Sequence, residues 1–329
     1  MKFCENKPLD SLHKLLSLQD IDGNTGLAYL EDQGFHYTSA TNEADFFVSM
    51  NGRCLPQFVF NRTVLLITEP YSRYQFYYSD TYKSLFGGFL GISSSNVPSA
   101  DQFYLEPRDY TQMQELKDQP EYMLGMVHQR YKKQYRNLLG DGERDIAVAF
   151  FDRMFGDSFH TYARVWEKTL PWENVGWKGT IKGTIMGNEK LLTLRNYKFT
   201  ICFENSREDG YITEKIFSAL FAGSVPIYFG APDISTHIPK DCYIEFEGGD
   251  YEALYQRMIS MTPEQWKTMR DNGRAFLHSE ACKGFTSVAL AKKLEAHFLR
   301  LKDAPSFPFH PSELLRKGRF YWIKSRQKK

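Results

Sequence analysis

Short apolar runs separated by polar or amphipathic stretches recur along the chain. Three lie in the first hundred residues, Asp45–Met50, Thr63–Thr68 and Phe86–Ile92, each continuous and rich in Val, Ile, Leu or Phe. Runs of that length and composition predict parallel strands buried on both faces. Residues 11–17 and 24–31 predict short helices, and 121–139 (EYMLGMVHQRYKKQYRNLL) a longer one. The following GDGERD has the glycine and charge content of a linker, which sets a boundary near residue 143. The rhythm then restarts, with strands expected at Ile146–Phe151, Phe199–Phe203, Val225–Phe229 and Tyr243–Phe246 and helices at about 162–170, 213–222, 250–259 and 263–278. Such a repeat predicts an α/β fold of two Rossmann-like domains, 1–143 and 144–302, facing a central cleft, because ligands of these sheets bind beyond the strand C-termini.

Composition narrows the class. A length of 329 residues suits two domains of ordinary size, and 42% hydrophobic with 25% charged residues excludes collagen-like, disordered and coiled-coil chains. With 41 basic against 40 acidic residues the net charge is +1, so no global field draws the chain to nucleic acid, and a charged ligand must be met locally. Aromatic residues at 16% suit thick cores and stacking on bases or sugar rings. No run approaches the roughly 18–20 apolar residues of a membrane span, and the N-terminal MKFCENKPLDSLHK has no apolar run behind its charge. Cys4, Cys54, Cys202, Cys242 and Cys282 are dispersed and odd in number, which suggests neither a disulfide framework nor a zinc site. A cytoplasmic protein is expected. Residues 303–329 form a Pro-containing, basic and aromatic tail in which Arg316, Lys317, Arg319 and Lys324 surround Phe320-Tyr321-Trp322. It reads equally well as a solvated terminus or as a peripheral contact to an anionic inner membrane face, at ~1 kcal/mol per cation.

No G-x-G-x-x-G or P-loop string occurs, which leaves nicotinamide and P-loop nucleotide chemistry without a fingerprint. The informative stretch is residues 197–233, YKFTICFENSREDGYITEKIFSALFAGSVPIYFGAPD. It reads as strand, polar loop, helix, turn and strand: Thr213 stands where it can cap a helix, Ile212, Ile216, Ala219 and Leu220 follow a helical period, and Gly223 ends it. Tyr211, Glu214 and Lys215 then fall at a helix N-terminus on a strand's C-terminal edge. Free N–H groups, the helix dipole and the Lys215 charge suit a phosphate there, and Glu214 suits a sugar hydroxyl. Read singly, Glu214 and Lys215 are equally well solvated first-turn charges, and Asn205 and Tyr211 a turn former and a packed aromatic.

The string as a whole resembles the donor-binding signature of the α-1,3-fucosyltransferases of glycosyltransferase family 10, through Tyr197-Lys198-Phe199, Phe203-Glu204-Asn205-Ser206, Tyr211-Ile212-Thr213-Glu214-Lys215 and Ala222-Gly223-Ser224-Val225-Pro226 up to Gly230. The rest of the chain resembles that family only in strand order and short matches. The resemblance, closest to the bacterial type, implies a two-domain GT-B architecture and contacts from Asn205, Tyr211, Glu214 and Lys215 to GDP-fucose, with Lys215 on the diphosphate and Glu214 on the ribose. It also implies an upstream phosphate arginine, for which Arg164 is the nearest counterpart and Arg153 the competitor. In the first half it implies an apolar strand ending in a glutamate that serves as the catalytic base. Thr63–Thr68 ends in Glu69-Pro70, and Glu106, also before a proline, is the second candidate.

Those residue types suit inverting sugar transfer. A carboxylate such as Glu69 takes the acceptor proton, worth typically ~10²–10⁴ in rate. Cations and N–H donors at Lys215, Arg164 and the helix start stabilise the departing diphosphate. No metal or other cofactor is expected, since basic side chains stand where a metal would serve; the one D-x-D triplet, Asp20-Ile21-Asp22, reads as a turn. Tyr71 and Tyr74, directly after Glu69, are candidate acceptor contacts, although core packing accounts for such an aromatic row as readily. The expected partners are GDP-fucose and a glycan acceptor, such as N-acetyllactosamine or a lipid-linked oligosaccharide. Another nucleotide sugar, or a non-catalytic glycan-binding protein of the same fold, is the alternative.

Overall fold

The computed structural model describes residues 1–5, 11–51, 60–92, 97–104, 109–128, 139–162, 182–185 and 187–304. The first sheet contains β1 (Lys2–Glu5), β2 (His36–Tyr37), β3 (Phe46–Met50), β4 (Thr63–Ile67) and β5 (Gly88–Gly91), all parallel, in the order β2-β1-β3-β4-β5. Helices α1 (Ser11–Leu16), α2 (Gly26–Asp32), α3 (Tyr71–Tyr78) and α4 (Asp80–Lys83) accompany it. Successive residues of β4 enter different cores: Val64 and Leu66 join Phe3, Val48 and Leu90, whereas Leu65 and Ile67 pack with Tyr78, Phe86 and Phe89. Burial on both faces is what makes this strand legible as an unbroken apolar run.

The second sheet contains β6 (Tyr122–Val127), β7 (Phe159–Tyr162), β8 (Tyr197–Phe203), β9 (Val225–Phe229) and β10 (Ile244–Glu245), parallel in the order β10-β9-β8-β6-β7. Its helices are α5 (Leu139–Phe155), α6 (Asn188–Leu194), α7 (Glu214–Ala222), α8 (Tyr251–Ser260), α9 (Pro263–Leu277) and α10 (Glu280–Lys283), and α11 (Ser287–Leu301) follows. Each sheet therefore runs second, first, third, fourth, fifth strand. This is the doubly wound order whose winding reverses between the first and third strands, where ligands bind. In the second sheet that reversal lies between β6 and β8.

Three expectations are corrected. Residues 121–139 contain strand β6, paired with β8 through Tyr122↔Tyr197 and Leu124↔Phe199; a Cβ on Gly125 would come within 2.8 Å of the Tyr197 ring, so this strand glycine marks a close approach. Residues Ile146–Phe151, expected as a strand, lie in α5, where Arg144, Ala147, Val148, Phe151 and Asp152 are buried and Ile146 is 51% exposed. That is a helical stripe. Helix α11 was not anticipated, and it packs Leu290, Ala291, Leu294, Phe298 and Leu301 into the core of the first sheet. Its start fits because Gly26 has no side chain: a Cβ there would lie 2.3 Å from the Ser287 carbonyl oxygen. The Gly26 N–H donates to Ser287 Oγ (3.0 Å), which donates to the Leu18 carbonyl (2.7 Å).

Relative to the boundary expected at 143, the second sheet begins upstream with β6, and α11 from the 144–302 segment returns to the first sheet. Most of the helix expected at 162–170 lies outside the described residues, as does the tail from 305. Among the described residues no helix is long and apolar enough to cross a membrane.

Candidate active site

A cavity of about 390 Å³ opens between the two sheets, lined by Thr68, Glu69 and Ile92 from the first and by Val127, His128, Arg144, Asn205, Tyr211, Thr213, Glu214 and Lys215 from the second. It therefore gathers five of the residues expected from the sequence: Glu69, Asn205, Tyr211, Glu214 and Lys215.

On the second-sheet side, β8 ends at Phe203 and the next residue, Glu204, has no exposed surface. Its carboxylate accepts from the Thr213 N–H (2.9 Å), the Thr213 hydroxyl (2.8 Å) and Lys215 Nζ (2.6 Å). Lys215 Nζ also donates to the Thr213 hydroxyl oxygen at 2.7 Å. Thr213 is thus the residue before α7, but its side chain makes no cap bond; the hydroxyl is committed to the acid and the ammonium instead. The glycine closing the signature has a reason here, since a Cβ on Gly230 would lie 2.6 Å from Glu204 Cγ. Burial works to lower the Lys215 pKa, but the carboxylates of Glu204 and Glu214 (Nζ to Oε1 3.8 Å) outweigh it, and the pKa lies above the ordinary lysine value. Lys215 is a fixed cation. Two of its protons are directed at Glu204 and Thr213, and a third can be offered to a ligand oxygen.

Arg144, 2% exposed, comes from the buried stripe of α5, and its Nη2 donates to the Phe203 carbonyl (2.6 Å) and to Asn205 Oδ1 (2.7 Å). Beside it His128, just past β6, stands 2.7 Å by Nε2 from the Ile201 carbonyl. Burial, then the charges of Arg144, Lys215 and Lys190, hold the His128 pKa well below its ordinary value, so it lines the cavity as a neutral ring. The charges of Arg144, Lys215 and Lys190 around it stand near the switch point of the sheet, where an anionic ligand would meet them. Arg144 and His128 both escaped the sequence reading. Arg144 had a signal: with Ala147, Val148 and Phe151 it falls on one helical face, and an arginine on an apolar stripe is rarely idle.

On the first-sheet side, Asn51 Oδ1 accepts the Thr68 N–H at 2.9 Å, which ends the β4 ladder. Glu69 follows half-buried at the cavity, and Pro70 stands as the N-cap residue before α3. The Glu69 carbonyl accepts from the Tyr78 hydroxyl at 2.7 Å, so its backbone is pinned. The rings of Tyr71 and Tyr74 do not line the cavity; they pack on Tyr78 (5.7 Å between centroids) and Tyr77 (5.5 Å). Arg153 is exposed, its guanidinium 5.6 Å from the Phe150 ring centre, and does not reach the cavity. Arg164 and Glu106 lie outside the described residues. Asp20 closes a turn, as expected, accepting from the N–H groups of Asp22 (3.0 Å) and Asn24 (2.8 Å). Chemically, the cavity sets two immobilised cations and hydrogen-bonding side chains facing a carboxylate.

The chain is similar to known proteins in both sequence and structure. Residues 160–267 match the family model described as glycosyltransferase family 10 (fucosyltransferase), C-terminal. The α-(1,3)-fucosyltransferase FucT of Helicobacter pylori is 42% identical over 59 residues, 17% of this chain and 12% of that protein. GDP-fucose protein O-fucosyltransferase 3 of Danio rerio is 50% identical over 104 residues, 31% of this chain and 22% of that protein. The chain thus spans less than a quarter of the length of these curated relatives. The crystal structure of an α1,3-fucosyltransferase with GDP superimposes with a TM-score of 0.56 at 13% identity, over 93% of this chain and 91% of that one. WaaG, a glycosyltransferase involved in lipopolysaccharide biosynthesis, does so with a TM-score of 0.55 at 10% identity, over 91% of this chain and 98% of that one. The chain has the GT-B fold of these glycosyltransferases, and residues 160–267 are where its sequence is similar to the glycosyltransferase family 10 fucosyltransferases.

Proposed function

We propose that the protein transfers fucose from GDP-β-L-fucose to a hydroxyl of GlcNAc or Glc in a glycan acceptor, with inversion, in α-1,3 linkage and without a metal. The observation that carries this reading is the placement of Glu69 across one cavity from Lys215 and Arg144. The acceptor oxygen bonds to the fucose anomeric carbon as the bond to the β-phosphate oxygen breaks. Glu69 takes the hydroxyl proton and GDP departs with the electron pair. Lys215 and Arg144 stabilise the diphosphate as its charge grows, and because both are held by protein partners beforehand, little reorganisation is needed at that moment. Arg144 joins Lys215 in the phosphate role; Arg164, the counterpart that the resemblance implies, lies outside the described residues. Glu214, at the start of α7, accepts from the ribose, while Asn205 and Tyr211 complete the donor wall. The acceptor enters from the side of α3, along the aromatic row that includes Tyr71 and Tyr74.

The 104-residue match to a GDP-fucose protein O-fucosyltransferase favours a second acceptor class, a hydroxyl on a protein chain. The donor chemistry is the same in both. The test is product formation from GDP-fucose, GDP-mannose and UDP-sugars with EDTA present, offering lactose, N-acetyllactosamine and serine- or threonine-bearing peptides. Fucosylated sugar with GDP-fucose alone is expected. Fucosylated peptide would transfer the reading to the second acceptor class. GDP binding without turnover on any acceptor would favour a glycan-binding protein, and loss of turnover in EDTA would overturn the metal-free mechanism.

A further inference from the structure

The loop between β8 and α7 holds the donor-side residues, yet part of it is bonded to the opposite sheet. The carboxylate of Glu208 accepts from the backbone N–H of Tyr71 (2.9 Å, Oε2) and of Ser72 (2.9 Å, Oε1). Ser206 Oγ donates to Glu208 Oε1 at 2.8 Å and lies 2.6 Å from Ser72 Oγ. The acidic head thus sits on the first turn of α3, a helix whose own N-cap residue, Pro70, supplies no side-chain bond. Orphan N–H groups at a helix start need an acceptor, and an anion suits the dipole there. In this chain the acceptor comes from the other lobe.

Two residues before that contact stands Glu69. Its carbonyl is held on one side by the Tyr78 hydroxyl, and on the other the chain passes through Pro70, with φ fixed at −71°, directly into the two amides that Glu208 holds. The same loop closes on itself through the Tyr211 N–H to Glu208 carbonyl bond (3.1 Å), and the Tyr211 ring is buried in the core of the first sheet. Asn205, three residues before Glu208, is bonded to Arg144 in the cavity. A few residues therefore connect the cation side of the site to the backbone that carries the carboxylate.

We propose that Glu208 is a positioning residue for the proton acceptor: it fixes Glu69 against the donor side by holding the start of α3. This rests on Glu69 being the proton acceptor of the transfer. In Glu208→Ala, kcat falls on the order of 10–100-fold, the scale expected when a reacting group is displaced by about an ångström, while the Kd for GDP measured by calorimetry stays within about threefold. Glu208→Gln, which keeps one acceptor oxygen, folds with the least disturbance and shows a smaller fall. Hydrogen exchange at Tyr71 and Ser72, slow in the unaltered protein, becomes faster in both variants, and this readout requires no turnover.

A kcat within twofold of the unaltered protein in Glu208→Ala, an equal loss in GDP affinity, or unchanged exchange at Tyr71 and Ser72 would each overturn the proposal. If the unaltered protein fails to transfer fucose, the assignment of the reaction fails instead; the exchange at those two amides then still decides whether Glu208 holds the helix.

Discussion

The two sheets share one strand order but contribute unequally to the cavity. The second delivers its groups at the reversal of its winding, from the ends of β6 and β8, the start of α7 and the buried stripe of α5, and interlocks them: Glu204 has no exposed surface, and Arg144 is 2% exposed. The first delivers a half-buried carboxylate from the end of β4, away from its own reversal between β1 and β3. On the proposed reading, the same topology supports a preformed anion receptor on one side and a more accessible proton acceptor on the other. The chemistry of displacement explains the division. Charge that develops on a leaving group is best met by cations already fixed in place, whereas a carboxylate that serves an incoming hydroxyl must remain reachable.

Substitutions can break or sharpen this contrast. The largest effect is expected from Glu69→Gln, which should lower the transfer rate by about 10²–10⁴ and leave GDP affinity close to unaltered, since it touches only the open side. Rate assays with parallel calorimetry check it, and an unchanged rate would place the proton acceptor elsewhere. Next comes Lys215→Met, which strands the buried Glu204 carboxylate and should destabilise the protein by ~3–5 kcal/mol in denaturant unfolding, with loss of GDP binding. Adding Glu204→Gln should restore much of the stability but not the binding; if both returned, Lys215 would be structural only.

Acid tests the seam between α11 and the first sheet. Burial, then the Arg300 charge, lowers the His297 pKa from 6.5 to about 4. Arg300 donates to its Nδ1 at 2.6 Å, which fits a neutral ring. The unfolded chain therefore binds the extra proton first, so the contribution of His297 to stability is complete above pH 6.5 and is lost as pH falls towards about 4, ~3 kcal/mol in all. Replacing His297 by Gln should flatten that part of the stability–pH curve, and an unaltered slope would assign it to other groups. The smallest effect is expected from Gly26→Ala, which presses on the Ser287 backbone. It should cost ~1–3 kcal/mol in thermal or chemical unfolding and leave GDP affinity, which the proposed site assigns to the other sheet, as it was.

How far the sequence disclosed all this depended on which force dominates each segment. Thr63–Ile67 and Val225–Phe229 were legible because two-sided burial writes a continuous apolar run, and the donor loop because its string is long and specific. Residues 122–127 read as helix because Met and Leu favour helices locally; pairing with β8 overrides that preference, and only Gly125 hinted at it. Reading Ile146–Phe151 as a run rather than by its 3.6-residue period hid α5, and with it Arg144, which then resembled a linker charge. The acceptor side was least legible, since Glu69 is defined by what it faces across the cleft, and Glu208 by a bond to residues more than 130 positions away.

Because α11 roofs the sheet formed by the opening third of the polypeptide, the halves cannot be separated by cutting near the middle. A fragment ending at residue 121 would lose the covering supplied by Leu290, Leu294 and Phe298 and present that greasy surface to solvent, where it would invite aggregation. Dissection of the protein should therefore co-express the two pieces, or carry α11 over by circular permutation.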